Sequence, residues 1–203
     1  PLAGDESSEE AHWRNRENNQ PFCSVFNFNV THESNIWKNE TPYSAKELEN
    51  VQIPNFFPEN SKIKSDFITN YKNIEKLDEQ IGVIINQLKE DDLYDNTIIF
   101  FFSDHGGPFP RYKRSIYETG LRVPMIAKWI NDTNRGNNYQ LVSFVDFAPT
   151  VLDAANLKRE FPFEGVSFFK KNNRSYVYAA SDRFDEATDI RRSISDGKFK
   201  LIY

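Results

Sequence analysis

From Ser61 onward, apolar residues fall at Ile63, Phe67, Tyr71, Ile74, Leu77, Ile81, Ile84 and Leu88, a spacing of three or four that lines one helix face. Lys, Glu and Asp fill the opposite face, so the pattern predicts an amphipathic helix of about seven turns. Asp95 and Asn96 then supply a turn, and Thr97 to Phe102 (TIIFFF) is apolar at every position after the first. A strand apolar on both sides is expected at the centre of a sheet covered by helices on both faces. Helix, turn and buried strand make half of a βαβ unit, so the expected class is α/β with a mainly parallel sheet sandwiched by helices.

Other stretches carry shorter signals. Phe22 to Val30 (FCSVFNFNV) is dense in aromatic and β-branched residues and reads as a buried strand ending before Thr31 and His32. Residues 38–60, with Pro42, Pro54 and Pro58, read as an irregular excursion. Val123 to Trp129 repeats the strand signal, and Val145 to Leu157 reads as a short helix with Pro149 in its first turns. Tyr176 to Ala180 is a strand candidate. Arg191 to Ser195 and Lys198 to Tyr203 flank Asp196-Gly197, a two-residue hairpin signal, so a small antiparallel sheet starts near the end of the chain. These elements divide the chain into a linker or surface segment over 1–20, an α/β part over 21–157 and the start of an antiparallel subdomain over 158–203.

Composition narrows the function classes. Apolar residues make up 38% of the 203 residues and aromatic residues 15%, which excludes a disordered chain. The longest apolar run has strand length, far short of the roughly 20 residues of a membrane-spanning helix. A net charge of −5 argues against a general nucleic-acid binder, so any anion site must be local. One Cys and three His exclude an internal disulfide framework and a zinc-finger module. Pro1 opens the chain with no basic and apolar signal segment after it, which is expected of a processed or truncated product.

Candidate chemistry begins where the buried strand ends. Ser103, Asp104, His105, Gly106 and Gly107 follow it directly, at the strand end where open α/β sheets bind ligands. Two adjacent side chains able to ligate a cation, then two glycines that admit close backbone approach, suit a metal held at the sheet edge. Taken alone, the same letters also fit Asp104 capping a turn beside a surface imidazole. Pro108 to Pro124 sets Arg111, Lys113, Arg114 and Arg122 against the single carboxylate Glu118, making a basic loop in an acidic protein. A tetrahedral oxyanion would bind there, and the alternative is a solvated loop with an internal Glu118–Arg122 pair. Cys23, inside an aromatic-rich stretch, reads as a small core hydrophobe, and His12 as a surface residue.

The stretch from Tyr71 through Gly107, followed by KRSIYETGLRVP from Lys113 and SFVDFAPTVLDAANL from Ser143, resembles the sulfatase family of the alkaline phosphatase superfamily. The tail DRFDEATDIRRSISDGKFKLIY resembles heparan N-sulfatase-like and uncharacterised bacterial members. The resemblance implies an alkaline phosphatase-like fold and a hydrolase of sulfuric esters, with a sulfated glycan as the substrate class the tail suggests. It implies one Ca2+ ion at Asp104 and His105, with His105 alternatively orienting a ligand, since calcium prefers oxygen. Lys113 matches the family lysine that contacts the sulfate, although Arg114 and Thr119 depart from the usual small residues beside it. His32 matches the family histidine that contacts the sulfate and helps to protonate the leaving group.

The family nucleophile is a formylglycine made from Cys in Cys-x-Pro-Ser-Arg, whereas Cys23 is followed by Ser24, Val25, Phe26 and Asn27. The resemblance therefore implies the second half of a catalytic domain, inactive alone, whose site is completed by the rest of the sulfatase chain and by a nucleophile from an N-terminal part. Arg183 is a further substrate-binding candidate, together with Asp185, Asp189 and Arg191. A periplasmic, secreted or lysosomal location is what the family implies. Two other readings stay open: a phosphodiesterase or phosphonate hydrolase of the same superfamily, or a non-catalytic anion-binding relative.

Overall fold

Ile63, Phe67 and Leu88 do share a helix, but much of the apolar stripe they define is only partly covered. In the computed structural model, which describes residues 4–131, 135–158, 161–170, 174–184 and 186–203, the chain separates into two units, Pro1–Val83 and Ile84–Tyr203.

The first unit holds two short helices, α1 (Ser34–Trp37) and α2 (Ala45–Asn50), and most of the long helix α3 (Ser61–Glu90), inside which the boundary falls. α2 lies within the excursion expected to be irregular. It forms because Ser44 and Glu47 make a reciprocal capping box, each side chain accepting from the other's backbone N–H. The excursion is fixed to α3 by polar contacts: the Asn39 amide donates to Thr69 Oγ1 (2.8 Å), Tyr43 Oη meets the same hydroxyl (2.9 Å), and Lys72 pairs with Glu47 (2.9 Å). Phe67 and Ile68 are buried on α3, with Phe57 edge-on to Phe67 at 5.2 Å, whereas Tyr71 and Ile74 are nearly half exposed.

Phe22 to Val30 does not form the expected strand. It makes no ladder among the described residues, Val25 is 79% exposed, and Cys23 is exposed rather than core. Aromatic and β-branched composition shows a tendency to pack, but a strand also needs a partner backbone, and none is paired with these residues. Trp13 is instead the buried residue of this region. It stacks on Phe22 and meets the tilted His12 ring at 4.0 Å, so His12 is half-buried rather than a surface residue, and His12 Nδ1 accepts the Arg14 N–H at 3.1 Å.

In the second unit, α3 ends in a left-handed residue, Asp92 (φ 54°), with the Leu93 N–H donating to Leu88 O, a Schellman closure. β1 (Ile99–Phe102) follows and pairs antiparallel with β2 (Met125–Lys128), Phe101 opposite Ile126. Lys128 Nζ donates to the carbonyls of Tyr94 and Thr97, locking the turn that precedes β1. One face of the pair is covered: Phe100 and Phe102 pack on Phe147 of α5 (Phe147–Ala154) at 5.6 and 4.5 Å between ring centroids. On the other face Ile126 is 65% exposed, so β1 is covered on one side here rather than on both.

The β1–β2 connection contains only the four-residue helix α4 (Glu118–Leu121) and no long crossover helix, and the two strands pair antiparallel. Every strand pair among the described residues is antiparallel. The last three strands, β3 (Val177–Phe184), β4 (Ala187–Ser195) and β5 (Lys200–Ile202), form the antiparallel sheet expected near the chain end. Its hairpin turns one position later than the sequence suggests. Asp196 N–H donates to Phe199 O, so the tip is Gly197-Lys198, with Gly197 at φ 87° and the Asp196 carboxylate accepting from the N–H groups of Lys198 and Phe199. No helix of the described residues is long and apolar enough to cross a membrane.

Candidate functional site

Two loops meet beyond the end of β1, and glycine makes the meeting possible. The Gly106 N–H donates to Gly120 O at 2.9 Å, and the Lys113 N–H donates to Gly107 O at 3.1 Å, so the loop carrying Asp104 and His105 is stitched to the loop carrying Lys113. A methyl group at Gly106 would sit 1.8 Å from Thr119 O, and one at Gly120 would sit 2.1 Å from Ser115 O. No side chain fits at either place, so close backbone approach rather than an unusual φ explains glycine at 106 and 120. Arg111 and Arg114, at φ 69° and 63°, hold left-handed backbone on either side of Lys113, and the Thr119 hydroxyl donates to Arg111 O. Arg114 therefore occupies a position where glycine is the unstrained choice, and nothing in the structure explains the arginine there.

Asp104 presents its carboxylate outward, 83% exposed, while His105 is about one-third exposed. His105 Nδ1 lies 2.7 Å from Gly106 O, and a carbonyl only accepts, so Nδ1 carries the proton. Nε2 then keeps its lone pair, and it lies 3.6 Å from Asp104 Oδ1. Two lone-pair atoms at that separation repel each other unless a proton or a cation is shared between them. This donor set fits a divalent ion. It is incomplete for calcium, which takes six to eight oxygens, and among the described residues no three His, Cys, Asp or Glu side chains converge.

Lys113 is half-buried in a strongly basic loop, and its neighbours are paired in ways the sequence did not suggest. Glu118 forms its ion pair with Lys200 of β5 rather than within the loop to Arg122. Lys200 Nζ also donates to Ile116 O at 3.1 Å, and its side chain is only 13% exposed. Arg111 lies over the Tyr117 ring at 5.2 Å.

His32 belongs to the first unit. Its Nδ1 accepts the Ser34 N–H at 3.2 Å and contacts Ser34 Oγ at 2.9 Å. The tautomer is thus the reverse of that at His105: Nε2 carries the proton and serves as a donor. Arg183 is exposed beside a register shift in β3 between Ser181 and Arg183. Asp189 and Arg191 pair with each other at 2.8 and 2.9 Å, and Asp185 lies outside the described residues.

Two side chains that sequence reasoning passed over matter to this architecture. Asp146, fully buried, accepts from the N–H groups of Ser143 and Val166 at 2.8 Å and from Arg174 at 2.5 Å, pinning the start of α5. Lys200 is the other. Ser143-x-x-Asp146 is a local capping-box pattern that could have marked Asp146, whereas Val166 and Arg174 lie 20 and 28 residues from it and Ile116 lies 84 from Lys200, pairings that leave no local signal.

Comparison with known proteins bears on this geometry. The profile named Sulfatase matches residues 5–157. An ulvan-active sulfatase of Formosa agariphila is 41% identical over 99% of this chain and 40% of its own length. Human N-sulphoglucosamine sulphohydrolase is 27% identical over 56% of this chain and 23% of its own. The chain therefore spans well under half of these relatives. Among solved structures, one in complex with its substrate D-glucosamine-2-N,6-O-disulfate superposes with a TM-score of 0.56 at 26% identity, covering 70% of this chain and 31% of that one. A phosphonate monoester hydrolase from Silicibacter pomeroyi gives 0.62 at 20% identity, covering 73% and 34%.

Proposed function

The chain belongs to the sulfatase family, and from that premise we propose that the protein carrying it hydrolyses sulfate esters of a sulfated glycan, releasing inorganic sulfate. The observation that carries the reading is the stitched loop pair, which holds a cation-fitting carboxylate and imidazole one hydrogen bond from the Lys113 backbone. The glycan class is supported by the relatives, one active on ulvan and one named for N-sulphoglucosamine, and by the glucosamine disulfate complex. The full fold in this reading is a mainly parallel sheet covered by helices, with strands beyond the two in β1 and β2.

Asp104 Oδ1 and His105 Nε2 would hold one side of a Ca2+ ion, with further oxygen donors coming from the rest of the protein. When bound, calcium supplies charge that polarises the sulfate oxygens, and a formylglycine outside these residues supplies the nucleophile. Lys113 binds and orients the sulfate through its ammonium, a charge preorganised by the backbone bond to Gly107. His32, with Nδ1 engaged by Ser34, directs its Nε2 proton to the leaving-group oxygen. Cys23 takes no part, being exposed and lacking the Pro and Arg that should follow it. Arg183 contacts the sugar, its guanidinium standing exposed at the β3 irregularity.

A second reading has one observation in its favour: the phosphonate hydrolase superposes with the higher TM-score, although at 20% identity that speaks for fold alone. The whole protein, supplied with calcium, separates the two. Release of sulfate from a glucosamine sulfate with little release from a phosphonate monoester is the expected result, and the opposite preference assigns the protein to phosphonate chemistry.

A further inference from the structure

Lys200 stands out because it lies 87 residues beyond Lys113 in the chain, on the C-terminal sheet, and yet ends its side chain in the basic loop. Its face of β5 also explains why. Ser193 and Ser195 on the same side of the sheet are buried, so Lys200 is drawn inward and satisfies its charge on Glu118 and a second donor on Ile116 O. Glu118 is the single carboxylate between Arg111 and Arg122, and Ile116 is buried at 4% exposure, so both contacts fix loop positions between Lys113 and Gly120. From there the order passes through Gly120 O to the Gly106 N–H, and through the Gly107 carbonyl to the Lys113 N–H.

We propose that Lys200 is a positioning residue for the anion site: it clamps the 116–120 segment and neutralises Glu118, so that the Lys113 ammonium is held on the substrate oxyanion. The proposal rests on the sulfate-ester reading for its catalytic consequence, though not for the clamp itself. In this proposal Lys200 acts through Glu118 and Ile116 rather than on the substrate itself. Removing Lys200 leaves Glu118 without its ion-pair partner and frees the loop that carries Lys113, and misplacing a charge by about 1 Å costs on the order of 100-fold in rate.

The test is a double-mutant cycle in the whole protein, with amide exchange as a second readout. Lys200→Met should lower kcat by roughly 10- to 100-fold with KM changed less than about threefold, and Lys200→Arg should recover most of it. In a Lys113→Ala background the same Lys200→Met should cost less than about twofold, since its effect passes through Lys113. An equal loss in both backgrounds, or no loss in either, overturns the proposal, because a residue needed only for folding lowers both alike. Peptides covering 103–122 should exchange at least about tenfold faster in Lys200→Met, with those of α5 unchanged. Should that variant not fold, Glu118→Gln breaks the same ion pair and should speed exchange in the same peptides. Unchanged exchange overturns the clamp. Wild-type protein that releases no sulfate would refute the sulfatase reading while the exchange result still decides the clamp.

Discussion

We predict that Gly106→Ala is among the most damaging small substitutions in the second unit. Its new methyl carbon would lie 1.8 Å from Thr119 O, 2.7 Å from Thr119 C and 2.8 Å from Gly120 Cα, all backbone atoms with no side-chain freedom to yield. Reaching even 3.0 Å from the Thr119 oxygen requires the two loops to part by 1.2 Å (3.0 − 1.8), which breaks the 2.9 Å bond from Gly106 N–H to Gly120 O. Overpacking costs about 1–3 kcal/mol and the lost hydrogen bond about 1 kcal/mol, so destabilisation of about 2–4 kcal/mol is expected. For a unit of this size that is a Tm lowered by roughly 8–16 °C, and the loss is a large share of a typical folding free energy. Denaturant unfolding of the whole protein measures it, with Gly82→Ala as the control. Nothing lies within 4 Å of the added methyl at Gly82, inside α3, so that change should stabilise by about 0.5–1 kcal/mol. A Gly106→Ala variant within about 0.5 kcal/mol of wild type would refute the stitching of the two loops.

Further predictions concern charge. The Glu47 carboxyl is held down from 4.5 to about 2, first by the Lys72 ammonium that donates to it and then by the Ser44 N–H and hydroxyl. A carboxyl depressed on folding contributes stability that is complete above about 4.5 and is lost as pH falls towards about 2, so α2 should loosen in that acid window and Glu47→Gln should abolish the pH dependence. A Glu47 carboxyl resonance titrating near 4.5 would contradict the capping box and ion pair. Asp104→Ala should lower bound calcium measured by elemental analysis of the whole protein, and calcium content equal to wild type would remove Asp104 from the ligand set.

Much of this architecture was legible because it is local. The three-and-four spacing from Ile63 to Leu88 marks α3, the β-rich runs mark β1 and β2, Pro149 sits in the first turn of α5, and Asp196-Gly197 announces the hairpin. What failed depended on partners. Phe22 to Val30 has strand composition without a paired backbone, and an all-apolar β1 could not reveal that its neighbour would be antiparallel β2. Asp104, His105 and Lys113, expected from sequence as site residues, lie on loops that the structure joins through backbone hydrogen bonds. The pairing of Glu118 could not be read from the sequence, because Arg122 offered a plausible local partner and Lys200 lies 82 residues beyond Glu118 in the chain.

The central claim is that Lys113 acts on a sulfate ester in a site framed by Asp104 and His105. Its most direct test is the turnover of Lys113→Ala in the whole protein, followed as inorganic sulfate released from a glucosamine sulfate. The account predicts a loss of roughly 100- to 1000-fold, with Lys113→Arg restoring only part of it because a planar guanidinium cannot take the place of a compact ammonium. Near-normal sulfate release by Lys113→Ala, with no more than a small change in stability, would contradict it.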